Sequence, residues 1–125
     1  FIFLLGYLVN GQNLDNYLWK KRVVIVFSPF DNHPKVKEQL DAFKPFSREI
    51  EDREMIILIP QRAERPKLLE RFRLDNDYVG LILVGKDGGV KLKQKLVVTP
   101  KTLFDLIDAM PMRRAELRNK SKKPD

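Results

Sequence analysis

Val23-Val24-Ile25-Val26-Phe27 is a run of five β-branched or aromatic residues with no polar interruption. Successive side chains of a strand point to opposite faces, so a strand with one face in water alternates apolar and polar residues. An unbroken apolar run therefore asks for cover on both faces, as in a largely parallel sheet with helices above and below. Met55-Ile56-Ile57-Leu58-Ile59, stopped by Pro60, makes the same demand, and Val79-Gly80-Leu81-Ile82-Leu83-Val84 makes it a third time. A chain of 125 residues is long enough to bury one such core and too short for two domains.

The segments between these strands read as helices and turns. Asp31 or Asn32 is placed to cap a helix that takes Pro34 in its first turn, and Val36, Leu40 and Phe43 then form one apolar stripe ahead of Pro45. In this reading His33 is an ordinary exposed loop residue. Leu14 to Trp19 forms at most one helical turn, and Arg48 to Glu54 is highly charged and weakly amphipathic. Pro66 opens a short helix carrying Leu68, Leu69 and Phe72. Lys86-Asp87-Gly88-Gly89 has the Asp-Gly chemistry of a tight hairpin and lacks the Gly-Lys-Ser/Thr of a phosphate loop. The strand after it alternates, with Val90, Leu92 and Leu96 expected on one face and Lys91, Lys93 and Lys95 on the other. That pattern marks a half-exposed edge whose lysines deter edge-to-edge pairing. Thr99-Pro100 starts a C-terminal helix with Leu103, Leu106, Ile107 and Met110 on its apolar stripe, and Pro111 breaks it.

Both ends of the chain differ in character from its middle. Phe1 to Val9 is uncharged and apolar, too short for the ~20 residues that cross a bilayer but suited to the hydrophobic part of a secretory signal. Small residues near Gly11 fit a signal-peptidase site. Residues 1–11 are accordingly expected to be a signal-peptide remnant cleaved after Gly11, residues 12–118 the folded domain, and residues 119–125 a basic disordered tail. Export to a periplasmic or extracellular space follows from that reading, the alternative being that the N-terminal run forms an edge strand. The formal net charge of +7 is concentrated after Pro111, where six basic residues meet only Glu116 and Asp125.

With no cysteine and one histidine, the chain holds no disulfide, thiolate nucleophile, sulfur-ligated metal or His-rich metal site. No cofactor is expected. Ser28, Asp31 and His33 fall within six positions but show no spacing that fixes a nucleophile–base pair. Asp105 and Asp108 are expected in salt bridges or on a solvated face, and the arginines after Met112 are placed to pair with nearby carboxylates.

The order strand, helix, strand, helix, strand, hairpin, strand, helix is similar to the thioredoxin fold. That likeness implies an α/β architecture: a four-stranded mixed sheet in the order 2-1-3-4, flanked by helices. More narrowly, Val84-Gly85-Lys86-Asp87-Gly88-Gly89-Val90-Lys91-Leu92 and Leu103-Phe104-Asp105-Leu106-Ile107-Asp108-Ala109-Met110-Pro111-Met112-Arg113-Arg114 resemble the two signatures of the domain-of-unknown-function family DUF4174. Leu14-Asp15, Trp19-Lys20, Gln39-Leu40 and Asp52-Arg53-Glu54 add to the resemblance, which covers nearly all of Leu14 to Leu117. It implies a secreted thioredoxin-like module, of the kind found in exported bacterial proteins and in sushi-repeat-containing and matrix-associated animal proteins.

Thioredoxins carry Cys-x-Pro-Cys after the first strand. The stretch corresponding to it is Asn32-His33-Pro34-Lys35, with the proline kept and both sulfurs gone, and Asp75-Asn76-Asp77-Tyr78 lacks the proline those proteins hold in cis. Thiol–disulfide exchange by this chain is excluded. The leading expectation is an exported, non-catalytic binding or structural module. It would present Lys91, Lys93, Lys95, Arg113, Arg114 and Arg118 to an acidic protein or glycan, nucleic acid being a poor fit. The alternative is a thiol-independent enzyme, a degenerate thioredoxin- or peroxiredoxin-like protein with its site near residues 28–35.

Overall fold

A computed structural model of the chain describes Leu5–Leu8 and residues 14–122. Its strands are β1 (Leu5–Leu8), β2 (Arg22–Phe27), β3 (Met55–Pro60), β4 (Gly80–Val84) and β5 (Val90–Lys95). Its helices are α1 (Pro34–Phe43), α2 (Ser47–Asp52), α3 (Arg65–Arg71), α4 (Pro100–Asp108) and α5 (Pro111–Lys122). Short 3-10 turns occupy Leu14–Tyr17 and Lys44–Phe46.

The five strands form one sheet in the order β1-β3-β2-β4-β5. β2 runs parallel to β3, β4 antiparallel to β2, and β5 antiparallel to β4. The four expected strands thus stand in the expected order, 2-1-3-4. Leu5–Leu8 adds a fifth at the edge of the sheet, as in the alternative reading of the N-terminal run, pairing in parallel from Leu5 opposite Ile57 to Leu8 opposite Pro60. The rest of the expected signal remnant, with its cleavage point after Gly11, lies outside the described residues, as do residues 123–125.

Every residue of β2 is buried, because the sheet separates two apolar clusters and β2 feeds both. Val24 and Val26 face one side with Ile57, Leu81 and Leu83, against Phe43 of α1, Ile50 of α2 and Leu103, Phe104 and Ile107 of α4. Val23, Ile25 and Phe27 face the other side with Leu58, Ile82 and Val84, against Leu14 and Leu68, Leu69 and Leu74 around α3. The charged stretch from Arg48 forms α2 because Ile50 finds a place in the first cluster. Asn119–Lys122, expected in a disordered tail, continues α5.

One local feature corrects the sequence reading, and the hairpin beside it is as expected. Leu83 pairs with Leu92, but Val84 pairs with Val90, so Lys91 is an extra residue bulged out of β5. Residues opposite one another share a face. Val90, Lys93 and Lys95 therefore lie together on the side of Val84, Ile82 and Gly80, and Leu92 lies on the other with Leu83. At the hairpin, Gly88 has φ +86°, a conformation that favours glycine, and its Cα faces Leu18 Cδ2. Asp87 steadies the turn by accepting the Gly89 N–H at 2.9 Å.

One polar contact crosses the apolar layer. Gln39 of α1, 0% exposed, donates to the Val98 carbonyl at 2.8 Å and accepts the Val98 N–H at 2.7 Å. Its amide thereby satisfies both backbone groups of a buried residue in the loop after β5. Gln39→Leu keeps the volume and removes both partners; each stranded buried group costs about 1–3 kcal/mol. Chemical denaturation should show a loss of roughly 2–4 kcal/mol, and an unchanged midpoint would mean that this loop is not fastened by Gln39.

Candidate functional site

The loop after β2 is where the redox site of this fold would stand. Here it is tied down by its own side chains. His33, rather than Asp31 or Asn32, caps α1: its Nδ1 accepts the Lys35 N–H at 3.0 Å, and Pro34 occupies the first helical turn. His33 is half-buried under Phe30, their ring centroids 5.0 Å apart. Asn32 has φ +64°, the left-handed conformation asparagine tolerates well, which turns the chain into the cap. Lys35 is exposed on the first turn.

Ser28, Asp31 and His33 are not hydrogen-bonded to one another. The Ser28 hydroxyl donates to the Phe30 carbonyl at 2.7 Å. Asp31 takes Arg65 at 2.9 Å and Arg62 at 3.2 Å, and these two guanidinium bonds, Arg65's first, hold its carboxyl below the ordinary aspartate range. The loop thus supplies no base to the serine.

Beside it, between α1 and the end of β3, lies an open groove of about 860 Å³. Val36, Leu40 and Ile59 give it an apolar floor. At one end Lys37 and Lys44 share Asp41, each at 3.0 Å, and at the other Arg62 reaches Asp31. The cations of its rim are thus already partnered.

The six basic residues expected to face a partner do not form one surface. Lys95 pairs with Gly80, which lies opposite Phe27 at the C-terminal end of β2. The arginines of α5 lie at the other end of that strand, where Glu116 meets Arg22. Lys93 and Lys95 are exposed and, among the described residues, make no ion pair; Lys91 is paired with Asp87 at 3.0 Å. Arg114 and Arg118 are exposed on α5. Arg113, by contrast, is 3% exposed and turned inward. It donates to Asp52 Oδ2 at 2.6 Å, to the Asp52 carbonyl at 3.0 Å and to Asp108 at 3.4 Å, so it leaves the candidate surface.

Arg113 belongs to an ion lattice that joins both ends of the chain. Arg22, 0% exposed at the head of β2, makes a bidentate pair with Glu116 at 3.2 and 3.0 Å and donates to the Arg53 carbonyl at 2.8 Å. Lys86 reaches Glu116 at 2.8 Å and Glu54 at 3.2 Å. Arg53 makes its own bidentate pair with Asp108, at 2.9 and 2.8 Å, while stacking over Phe104. Asp105 stays on the surface with Lys101. The charges at 52–54 and 108–116 carried a sequence signal, but their pairing needed the fold.

Geometry and loop together define a class: a thioredoxin-fold domain without thiols, with a histidine-capped helix after its central strand. The sequence profile of DUF4174, a domain of unknown function, matches residues 13–116, and the chain belongs to that family. Among solved structures it is similar to a reduced 2-Cys peroxiredoxin of Plasmodium vivax, with TM-score 0.68 and 13% identity over 83% of this chain and 72% of that one. It is also similar to human ERp44 in its zinc-bound form, with TM-score 0.58 and 18% identity over 82% of this chain and 30% of that one. The first two thioredoxin domains of Naumovozyma dairenensis Eps1p give TM-score 0.57 and 14% identity, over 79% of this chain and 38% of that one. The chain thus spans only about a third of the latter two. At such identities the likeness is one of fold.

The lattice carries a pH signature. Burial pushes the Glu116 carboxyl up, but the Arg22 and Lys86 bonds outweigh it and hold it below the ordinary glutamate value of 4.5. Lys120, then Arg113 against the opposing effect of burial, depress Asp52. Groups whose folded values are depressed stabilise the fold fully above the unfolded values and stop doing so as pH falls through the folded ones. At neutral pH Glu116→Gln should cost about 3 kcal/mol, as expected when a buried pair loses one partner. That gap should narrow progressively below the ordinary value of 4.5. Urea unfolding across the acid range measures it, and a gap independent of pH would show that the Glu116 charge is not what stabilises the fold.

Proposed function

We propose that this domain is a non-catalytic binding module, exported from the cytoplasm, that engages an acidic partner along the edge strand β5. The observation that carries this reading is the pair Lys93 and Lys95, exposed on a strand with one open edge and free of ion pairs among the described residues. Unpartnered cations held in a fixed row attract carboxylates or sulfates over several ångströms, and the attraction fades with salt. Arg114 and Arg118 form a second basic face on α5, at the other end of the sheet. Export is supported by the apolar run Phe1 to Val9 and the small residues after it. Among the described residues no helix is long and apolar enough to cross a membrane.

A second reading, a thiol-independent enzyme near residues 28–35, has the groove in its favour and the bonding of Ser28, Asp31 and His33 against it. The binding reading accounts for that loop as scaffolding.

Retention of the chain on immobilised polyglutamate at low ionic strength tests the partner. Charge reversal at Lys93 and Lys95 should abolish it. Reversing Lys67, exposed on α3, together with Lys35 makes a control of equal charge that should retain most of it. Equal losses in the two variants would reduce the effect to net charge and remove β5 as the site. Mass spectrometry of the protein recovered from secreting cells should find a new N-terminus after Gly11, whereas an intact N-terminus would overturn cleavage there.

A further inference from the structure

The chain's one tryptophan is placed where it costs stability. Trp19 has φ +65°, in the left-handed region that suits glycine or asparagine and strains a bulky residue. The position ends the 3-10 turn Leu14–Tyr17, with the Lys20 and Lys21 N–H groups both bonded to the Tyr17 carbonyl, at 3.0 and 2.9 Å. Glycine commonly fills such a place. The indole gains little from burial in return, since Trp19 is 66% exposed.

Its backbone is nonetheless held firmly. The Trp19 N–H donates to the Lys86 carbonyl at 2.7 Å, and Leu18 packs on the hairpin at Gly88. Lys86 is anchored in turn by Glu116 and Glu54. The ring is thus presented to solvent from a rigid base.

The bulge at Lys91 decides what surrounds it. Val90, 50% exposed, is turned to the sheet face that carries the Leu14–Tyr17 turn, because it pairs with Val84, which packs with Leu14 and Tyr17. Lys93 and Lys95 follow Val90 on that same uncovered face, the first of them about 10 Å along the strand. Lys20 and Lys21 follow Trp19 in the chain and, like Lys93 and Lys95, make no ion pair among the described residues. The hairpin end of the sheet thus carries two exposed apolar residues, Trp19 and Val90, with free cations further along β5.

We propose that Trp19 is the anchor of a docking surface for an acidic segment of a partner protein. The segment would place an apolar or aromatic side chain against Trp19 and Val90 and lay carboxylates along Lys93 and Lys95 and beside Lys20 and Lys21. Tryptophan is enriched among residues that dominate protein–protein affinity, and a ring fixed in advance loses little freedom on binding. Four unpaired lysines supply the charge complementarity. The inference rests on the acidic-partner reading above and names the residue that gives it specificity.

The test uses the full chain with a random glutamate–tyrosine copolymer as probe, and polyglutamate and heparin beside it. Fluorescence reads Trp19 alone, since there is no other tryptophan. At low salt the copolymer should shift the emission to the blue, with polyglutamate binding more weakly and moving it little. By calorimetry Trp19→Asn should bind the copolymer about tenfold more weakly, and Trp19→Phe should recover most of that loss. Trp19→Asn should melt no lower than the parent, because asparagine relieves the backbone strain. Unmoved emission at saturation, undiminished binding by Trp19→Asn, or a lower melting temperature for that variant would overturn the role of Trp19. The acidic-partner reading survives any of these if charge reversal at Lys93 and Lys95 still abolishes binding, and falls if the parent binds neither polymer. A larger emission shift with heparin than with the copolymer would overturn the protein partner in favour of a sugar.

Discussion

Arg22 sits at the head of the central strand with its guanidinium fully withdrawn from water, a position no arginine keeps without a carboxylate. That carboxylate comes from Glu116, 94 residues further on. The pair therefore ties α5 to the central strand. Once α5 is drawn in, Arg113 is carried onto Asp52 and Asp108, and Lys86 joins Glu116 from the hairpin. Strand, hairpin and last helix are held at one end of the molecule by charge, while the apolar clusters hold its middle. The N–H of Arg22 Nε is buried without an acceptor, a cost the bidentate pair has to offset.

The division of labour between the sheet's two ends organises the rest. At the end where the strands β2 and β3 begin, polar groups are consumed by one another. At the end where they stop, the loop of Asn32–Lys35 caps α1 and borders the groove. The N-terminus of α1 needs an acceptor, and an imidazole nitrogen supplies it.

Elements whose cause is local could be read from the residues. The unbroken runs at 23–27 and 55–59 announced doubly covered strands, Thr99-Pro100 announced α4, and Asp87-Gly88 announced the hairpin. The misreadings have causes distant in sequence or finer than residue type. Arg113 reads both as surface charge and as a partner of nearby carboxylates; Asp108 is near, but Asp52, to which it donates twice, lies 61 positions away. The alternation of β5 looked regular because a bulge is a property of pairing with β4, invisible in one strand. Histidine as a cap was passed over because asparagine and aspartate are the commoner choices and two of them stood just before it. Of the basic residues read as a partner surface, Lys93, Lys95, Arg114 and Arg118 are exposed; for the two lysines exposure followed from the edge position alone.

The sheet also works as a partition. Side chains of β2 alternate between two apolar layers on opposite faces of the sheet, with Val24 and Val26 in one and Ile25 and Phe27 in the other. Changes of volume in separate compartments add independently when no neighbour is shared. Each layer is thus free to be repacked without consulting the other.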